Sequence, residues 1–94
     1  MGSIAQIILL TRMKILPIHP EIIDYLREHG LGKKFLKEAE LYKQDSNHPS
    51  LNFELLEPKH LRIYSFRIDR KYRAIFIFRD HDTIEIIDAN NHYQ

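Results

Sequence analysis

Apolar and polar residues alternate from Leu61 to Asp88, LRIYSFRIDRKYRAIFIFRDHDTIEIID, in three runs broken by charged turns. A period of two marks half-buried antiparallel strands, so the stretch predicts a β-meander. Its even positions, Tyr64, Phe66, Ile68, Tyr72, Ala74, Phe76, Phe78, Ile84 and Ile86, make one apolar face. The odd positions set Arg67, Arg73, Arg79 and Glu85 among Ile63, Ile75, Ile77 and Ile87. Register follows from parity, because a one-residue slip exchanges the two faces. A turn at Asp69-Arg70-Lys71 pairs Ile68 with Tyr72 and Phe66 with Ala74, and it sets Arg67 directly opposite Arg73. Like charges so placed cost about 0.2–1 kcal/mol in an isolated sheet. An anion bound between them would give the chain a reason to keep the pair. The same parity centres the second hairpin near His81 and brings Ala89 level with Arg73. The tail Asn90-Asn91-His92-Tyr93-Gln94 then leaves the sheet beside the arginines.

Upstream the period changes. Lys14 to Ile18 reads as a short strand. His19-Pro20-Glu21 opens a helix, since proline suits the first helical position and an acid the first turn. Ile22, Ile23 and Leu26 recur at helical spacing, and Gly30 ends the run. A second helix is predicted from Lys33 to Tyr42, with Phe35, Leu36, Ala39 and Leu41 or Tyr42 inward. The short link from His29 to Gly32 makes the two an antiparallel hairpin. Gln44 to Ser50 is loop by composition. Leu51 to Leu56 is a further extended segment carrying Glu54, ended by Pro58. The class is therefore α+β: an N-terminal strand and a helix hairpin packed on a twisted, mainly antiparallel sheet. Residues 13–94 form the single domain. Residues 1–12, with apolar Ile4-Ala5-Gln6-Ile7-Ile8-Leu9-Leu10 after Met-Gly-Ser, read as a tag remnant or a strand extension.

Composition narrows the chemistry. At 94 residues, 44% hydrophobic and 29% charged, the chain has room for one modest core. No apolar run is long enough to cross a bilayer, so no membrane association is expected. The absence of cysteine excludes disulfides, thiol nucleophiles and cysteine zinc sites, and it suits a cytoplasmic protein. The six histidines lack the spacing of a metal site, so no metal or cofactor is expected. With three glycines in all there is no phosphate-binding glycine loop. The net charge is only +1, yet from Lys59 to Arg79 the bases Lys59, Arg62, Arg67, Arg70, Lys71, Arg73 and Arg79 face one acid, Asp69. That concentration suits a phosphate-bearing partner, against the plainer reading of a solvated charged face.

The segments HPSLNFELL (His48 to Leu56), YSFRIDRKYRAIFIF (Tyr64 to Phe78) and NHY (Asn91 to Tyr93) carry a resemblance. In this order and spacing the chain from Met13 to Gln94 resembles the RelE/ParE superfamily of toxins from type II toxin–antitoxin pairs. The resemblance to the YoeB type within it implies a ribosome-dependent endoribonuclease that cuts mRNA and is neutralised by a cognate antitoxin. It lays the catalytic set on Glu54, Arg67, Arg73, His92 and Tyr93. One departure is that His92 and Tyr93 are adjacent, where many relatives with an HPSL segment keep a histidine and a tyrosine several residues apart. The ParE branch, which inhibits DNA gyrase without nuclease residues, and inactive toxin-like proteins share the fold, so fold alone does not choose between them.

Metal-independent RNA cleavage needs a base for the 2′-hydroxyl, cations for the phosphoryl oxygens and an acid for the departing 5′-oxygen. The implied roles are Glu54 as base, Arg67 and Arg73 as a two-pronged phosphate clamp, His92 as acid and Tyr93 as a stacking or orienting group. Lys59, His60, Arg62, Arg70 and Lys71 are the expected contacts to the RNA backbone. The isoleucines of the odd face exceed what a binding groove needs. Cover by an antitoxin segment is expected there, and self-association without it.

Overall fold

The polar–apolar period sets where each element forms and which side it buries. The structure, a computed structural model, describes residues 12–92. The reading of residues 1–12 as tag remnant or strand extension, Arg12 apart, and the position of Tyr93 lie outside those residues. Strand β1 (Lys14–Ile15) is followed by helix α1 (Pro20–Glu28), helix α2 (Gly32–Gln44) and strands β2 (Glu54–Leu55), β3 (Tyr64–Arg67), β4 (Arg73–Asp80) and β5 (Thr83–Asn90). The five strands form one sheet in the order β1-β5-β4-β3-β2. Strands β1 and β5 are parallel, and the other neighbours are antiparallel. The α+β architecture expected from the sequence is therefore the one observed. No helix among the described residues is long and apolar enough to cross a membrane.

Helix α1 starts on Pro20 with Glu21 in its first turn. It ends in a Schellman arrangement. Gly30 takes φ 67°, its N–H bonds to the Arg27 carbonyl at 3.0 Å, and the Leu31 N–H bonds to the Leu26 carbonyl at 2.7 Å. A left-handed residue is required there, which glycine supplies without steric cost. Buried Leu26 and Leu31 close the motif on the core side. Helix α2 presents Phe35, Ala39 and Tyr42 inward. Leu36, expected inward, is instead 64% exposed. Positions 35, 39 and 42 already fill the stripe facing the sheet, and 36 falls about 100° round the helix from 35.

The even face of the meander is the core face. Phe66 stacks on Tyr42 and Phe35 at centroid distances of 5.6 and 6.2 Å, and Phe76 meets Tyr42 edge-on at 5.5 Å. Phe66, Ala74, Phe76, Ile84 and Ile86 are all buried there. Phe78 extends past the helices and is partly exposed. The Tyr42 hydroxyl is buried without a hydrogen-bond partner among the described residues, and burial pushes its pKa up.

Register agrees with parity through the first hairpin and half of the second. Arg67 faces Arg73, Phe66 faces Ala74, and the Ile68 N–H bonds to the Tyr72 carbonyl at 2.9 Å. Phe78 faces Ile84 and Phe76 faces Ile86, a register centred on His81, but at the turn itself a second irregularity sets Asp80 opposite Thr83, so the turn is the pair His81-Asp82. The register then shifts. Ile75 faces Asp88, Ala74 faces Ala89 and Arg73 faces Asn90. The expectation that Ala89 lies level with Arg73 is corrected by this bulge, in which Ile87 is the extra residue. Its effect is to put Ala89 into the core and to bring Asp88 and Asn90 onto the arginine face.

Candidate functional site

The arginine face is built from four elements. Strand β2 brings Glu54 opposite Ser65, β3 carries Ser65 and Arg67, β4 carries Arg73, and β5 brings Asn90 opposite Arg73. A 3₁₀ turn at Pro49–Leu51 precedes β2. His48 Nδ1 accepts the Ser50 N–H at 3.1 Å and so caps that turn. Asn52 follows in the left-handed region at φ 45°, a conformation that asparagine tolerates better than most residues. The kink turns the Asn52 carbonyl onto the Arg73 guanidinium.

The two arginines are neighbours in register and opposite in environment. Arg73 is 6% exposed, and Arg67 lies on the surface. The Arg73 Nε donates to Ser65 Oγ at 2.8 Å, and its Nη2 donates to the Asn52 carbonyl. The same Nη2 lies 4.0 Å from Glu54 Oε1. Burial lowers the Arg73 pKa, the Glu54 carboxylate opposes that shift, and the nearby Arg67 charge adds to it. A guanidinium nevertheless stays protonated at any ordinary pH. The result is a fixed cation whose carboxylate neighbour, Glu54, is itself half-exposed. Asn52 Nδ2 reaches the same Glu54 oxygen at 3.5 Å.

The chain end is held at the edge of this face by two hydrogen bonds of Asn90. Asn90 Nδ2 donates to Asp88 Oδ2 at 2.7 Å, and Asn90 Oδ1 accepts the His92 N–H at 3.0 Å. His92 therefore follows two residues after the position level with Arg73, with its side chain exposed. Of the expected catalytic set, Glu54, Arg67 and Arg73 share one face, and His92 follows two residues after Asn90, the β5 partner of Arg73.

The expected RNA contacts do not form one patch. Arg70 and Lys71 sit in the turn next to the arginine pair. Lys59, His60 and Arg62 lie at the other end of β3, in and just after the 3₁₀ turn Lys59–Leu61. All five are exposed. Ser65, Asn52 and Asn90 were not anticipated as parts of the site. Parity alone places Ser65 on the arginine face, two residues before Arg67. The Asn52 contact spans 21 residues and leaves no local signal. Among the described residues, Asp80, His81 and Asp82 could converge on a metal ion in the β4–β5 turn. They are surface groups remote from the arginine pair.

No protein-family model matches the sequence, and no curated protein matches it. Solved structures do. A YoeB/ParE toxin from Agrobacterium tumefaciens superposes with a TM-score of 0.62 at 14% identity, covering 87% of this chain and 99% of that one. The YoeB dimer from Staphylococcus aureus gives 0.55 at 24% identity, covering 87% of this chain and 97% of that one. The YoeB–YefM complex from the same organism gives 0.53 at 24%, covering 87% and 99%. A helix hairpin on one side of a five-stranded sheet, with a paired-arginine face on the other, is thus built on the fold of these YoeB and YoeB/ParE toxins.

Proposed function

We propose that the chain is the toxin of a type II toxin–antitoxin pair, a ribosome-dependent endoribonuclease acting on mRNA in the cytoplasm. The observation that carries this reading is the pair Arg67 and Arg73, opposite each other on one face, with Glu54 4.0 Å from Arg73. Glu54 takes the proton of a ribose 2′-hydroxyl, and the 2′-oxygen attacks the adjacent phosphorus. The bond to the 5′-oxygen breaks as His92 protonates it. The products are a 2′,3′-cyclic phosphate and a 5′-hydroxyl end, with no metal required. Exposed Arg67 meets the phosphoryl oxygens directly. Buried Arg73 adds positive potential from below and holds Glu54 in place, so its role is positioning more than clamping. Acid–base help of this kind is worth about 10²–10⁴-fold, and a charged donor at the phosphoryl oxygens about 10²–10³-fold. Tyr93 stacks on a base, and Arg70 and Lys71, beside the pair, bind the neighbouring phosphates. Lys59, His60 and Arg62 contact RNA farther along the strand or on the ribosome.

An antitoxin is the second partner, by analogy with the YoeB–YefM complex. Its segment covers the partly exposed isoleucines of the arginine face. Induced expression in growing bacteria, read by primer extension on a reporter message, tests the proposal. Discrete cuts within codons, lost in Arg67→Ala, are expected. Growth arrest with intact messages and a DNA-damage response would replace this reading with gyrase inhibition, and unimpeded growth would leave an inactive antitoxin-binding protein.

A further inference from the structure

Three aromatic rings at one end of the helix-covered face lie past the rings that α2 supplies. Tyr64 meets Phe53 at a centroid distance of 5.4 Å and Phe78 edge-on at 5.1 Å. Buried Phe76 touches Phe53, Tyr64 and Phe78 in turn, at 5.9, 5.8 and 5.9 Å. Phe35 and Tyr42 of α2 stack on Phe66 and Phe76 and on none of the outer three. Phe53 and Phe78 are left 37% and 38% exposed. Rings fixed by one another and open on their outer side make a platform on which flat groups stack. Free cations stand at the same end of the sheet. Extending the Tyr64–Phe76 pairing by two residues sets Arg62 level with Phe78, and the turn Lys59–Leu61 immediately precedes Arg62. The Lys59, His60 and Arg62 side chains are exposed and form no ion pair among the described residues, and exposed Glu57 pairs with none of them. Arg79, by contrast, is held by Glu85 at 3.6 Å.

Unpaired cations beside open rings suit a single strand of nucleic acid, whose phosphates meet the cations while its unpaired bases lie on the rings. A duplex would not serve, since its bases are already stacked on each other. Strand β2 joins this platform to the arginine face. Phe53 and Glu54 are consecutive, yet Phe53 contacts Tyr64 on the helix-covered face while Glu54 lies 4.0 Å from Arg73 on the other. The two-residue β2 forms the edge of the sheet, so a strand cut beside Glu54 has only that edge to round. Resting on the RNA-cleaving reading above, we propose that Phe53, Tyr64 and Phe78 stack unpaired bases of the message flanking the cut, with Lys59 and Arg62 on its phosphates.

The test uses the full chain carrying Arg67→Ala, which removes the exposed cation of the arginine face. The probe is a fluorescent single-stranded 2′-O-methyl RNA, whose blocked 2′-oxygens cannot attack. Phe78→Leu keeps the apolar bulk and loses the ring, and it should weaken binding about tenfold in fluorescence anisotropy with the salt dependence unchanged. Phe53→Leu repeats the ring test at a second partly exposed position, and circular dichroism checks that each variant is folded. Lys59→Gln with Arg62→Gln should reduce the slope of log K against log salt by about 1.4, for two phosphate contacts at about 0.7 each. Unchanged affinity in both ring variants would overturn the proposal, as would equal affinity for the single strand and its duplex. Self-association abolished by Phe78→Leu, with no binding of the single strand, would overturn it in favour of a protein interface. On ribosomes, Phe78→Leu should weaken association only when a message is present. An equal loss on ribosomes without a message would overturn the proposal in favour of ribosomal RNA on the rings. None of these readouts is cleavage, so an inert nuclease and a missing platform give different results.

Discussion

The two faces of the sheet are made by the same strands and follow opposite rules. The helix-covered face is aromatic and aliphatic, stacked ring on ring around Phe66 and Phe76, and its order comes from exclusion of water. The other face holds charge and polar groups in fixed places through a few directed hydrogen bonds. Arg73 belongs to both regimes, since it is a cation that is buried like a core residue and hydrogen-bonded like a site residue. Arg67, its cross-strand neighbour, belongs to only one. A chain optimised for stability alone would not set these guanidinium groups opposite each other.

Substitutions separate the two regimes. The largest effect on stability is expected from Phe66→Ala, which removes a fully buried ring and leaves a cavity between Tyr42, Phe35 and Phe76. It should cost about 3–5 kcal/mol in urea unfolding. Arg67→Ala should do the reverse. Cleavage falls by about 10²–10³-fold, while stability is unchanged or rises by about 0.2–1 kcal/mol as like-charge repulsion is relieved. A marked loss of stability in Arg67→Ala would break the comparison. Arg73→Ala should reduce both quantities. Buried Ser65 Oγ and the Asn52 carbonyl lose their donor, at about 1–3 kcal/mol, and Arg73→Lys should not restore them because an ammonium lacks the guanidinium fork. Tyr42→Phe deletes a buried hydroxyl with no partner among the described residues. Stability should then hold or improve by about 1 kcal/mol.

The smallest effect is a pH dependence in the turn next to the arginines. Burial of the Asp69 carboxyl would raise its pKa, but the N–H groups of Tyr72 and Lys71 and the Lys34 ammonium outweigh that and hold it below the usual carboxylate value. A group with a depressed folded-state pKa contributes stability above its unfolded value and loses it as pH falls through the folded one. Asp69→Asn should therefore flatten the acid limb of the stability–pH curve and leave the face-to-face comparison untouched.

Much of this arrangement was legible in the sequence because the signals are local. Alternation fixes the faces of β3 to β5, the Asp69–Lys71 turn fixes the arginine pair, and Pro20 and Gly30 bound α1. What escaped depends on contacts between distant residues. The burial of Arg73 needs the kinked loop at Asn52, 21 residues away. The bulge at Ile87 has no glycine or proline to announce it, only the doublet Ile86-Ile87 interrupting the alternation. Leu36 was misplaced because its spacing fits two stripes, and only the seating of the helix on the sheet decides between them.

The central claim is that the arginine face cuts RNA through the neighbouring 2′-hydroxyl. The most direct measurement uses purified protein and ribosomes programmed with two messages, identical except for a single 2′-deoxyribose at the cleaved position. The account predicts a cut ending in a 2′,3′-cyclic phosphate on the all-ribose message, no cut at the deoxy position, and loss of cutting in Arg67→Ala. Equal cleavage of both messages, or full activity in Arg67→Ala, would contradict it.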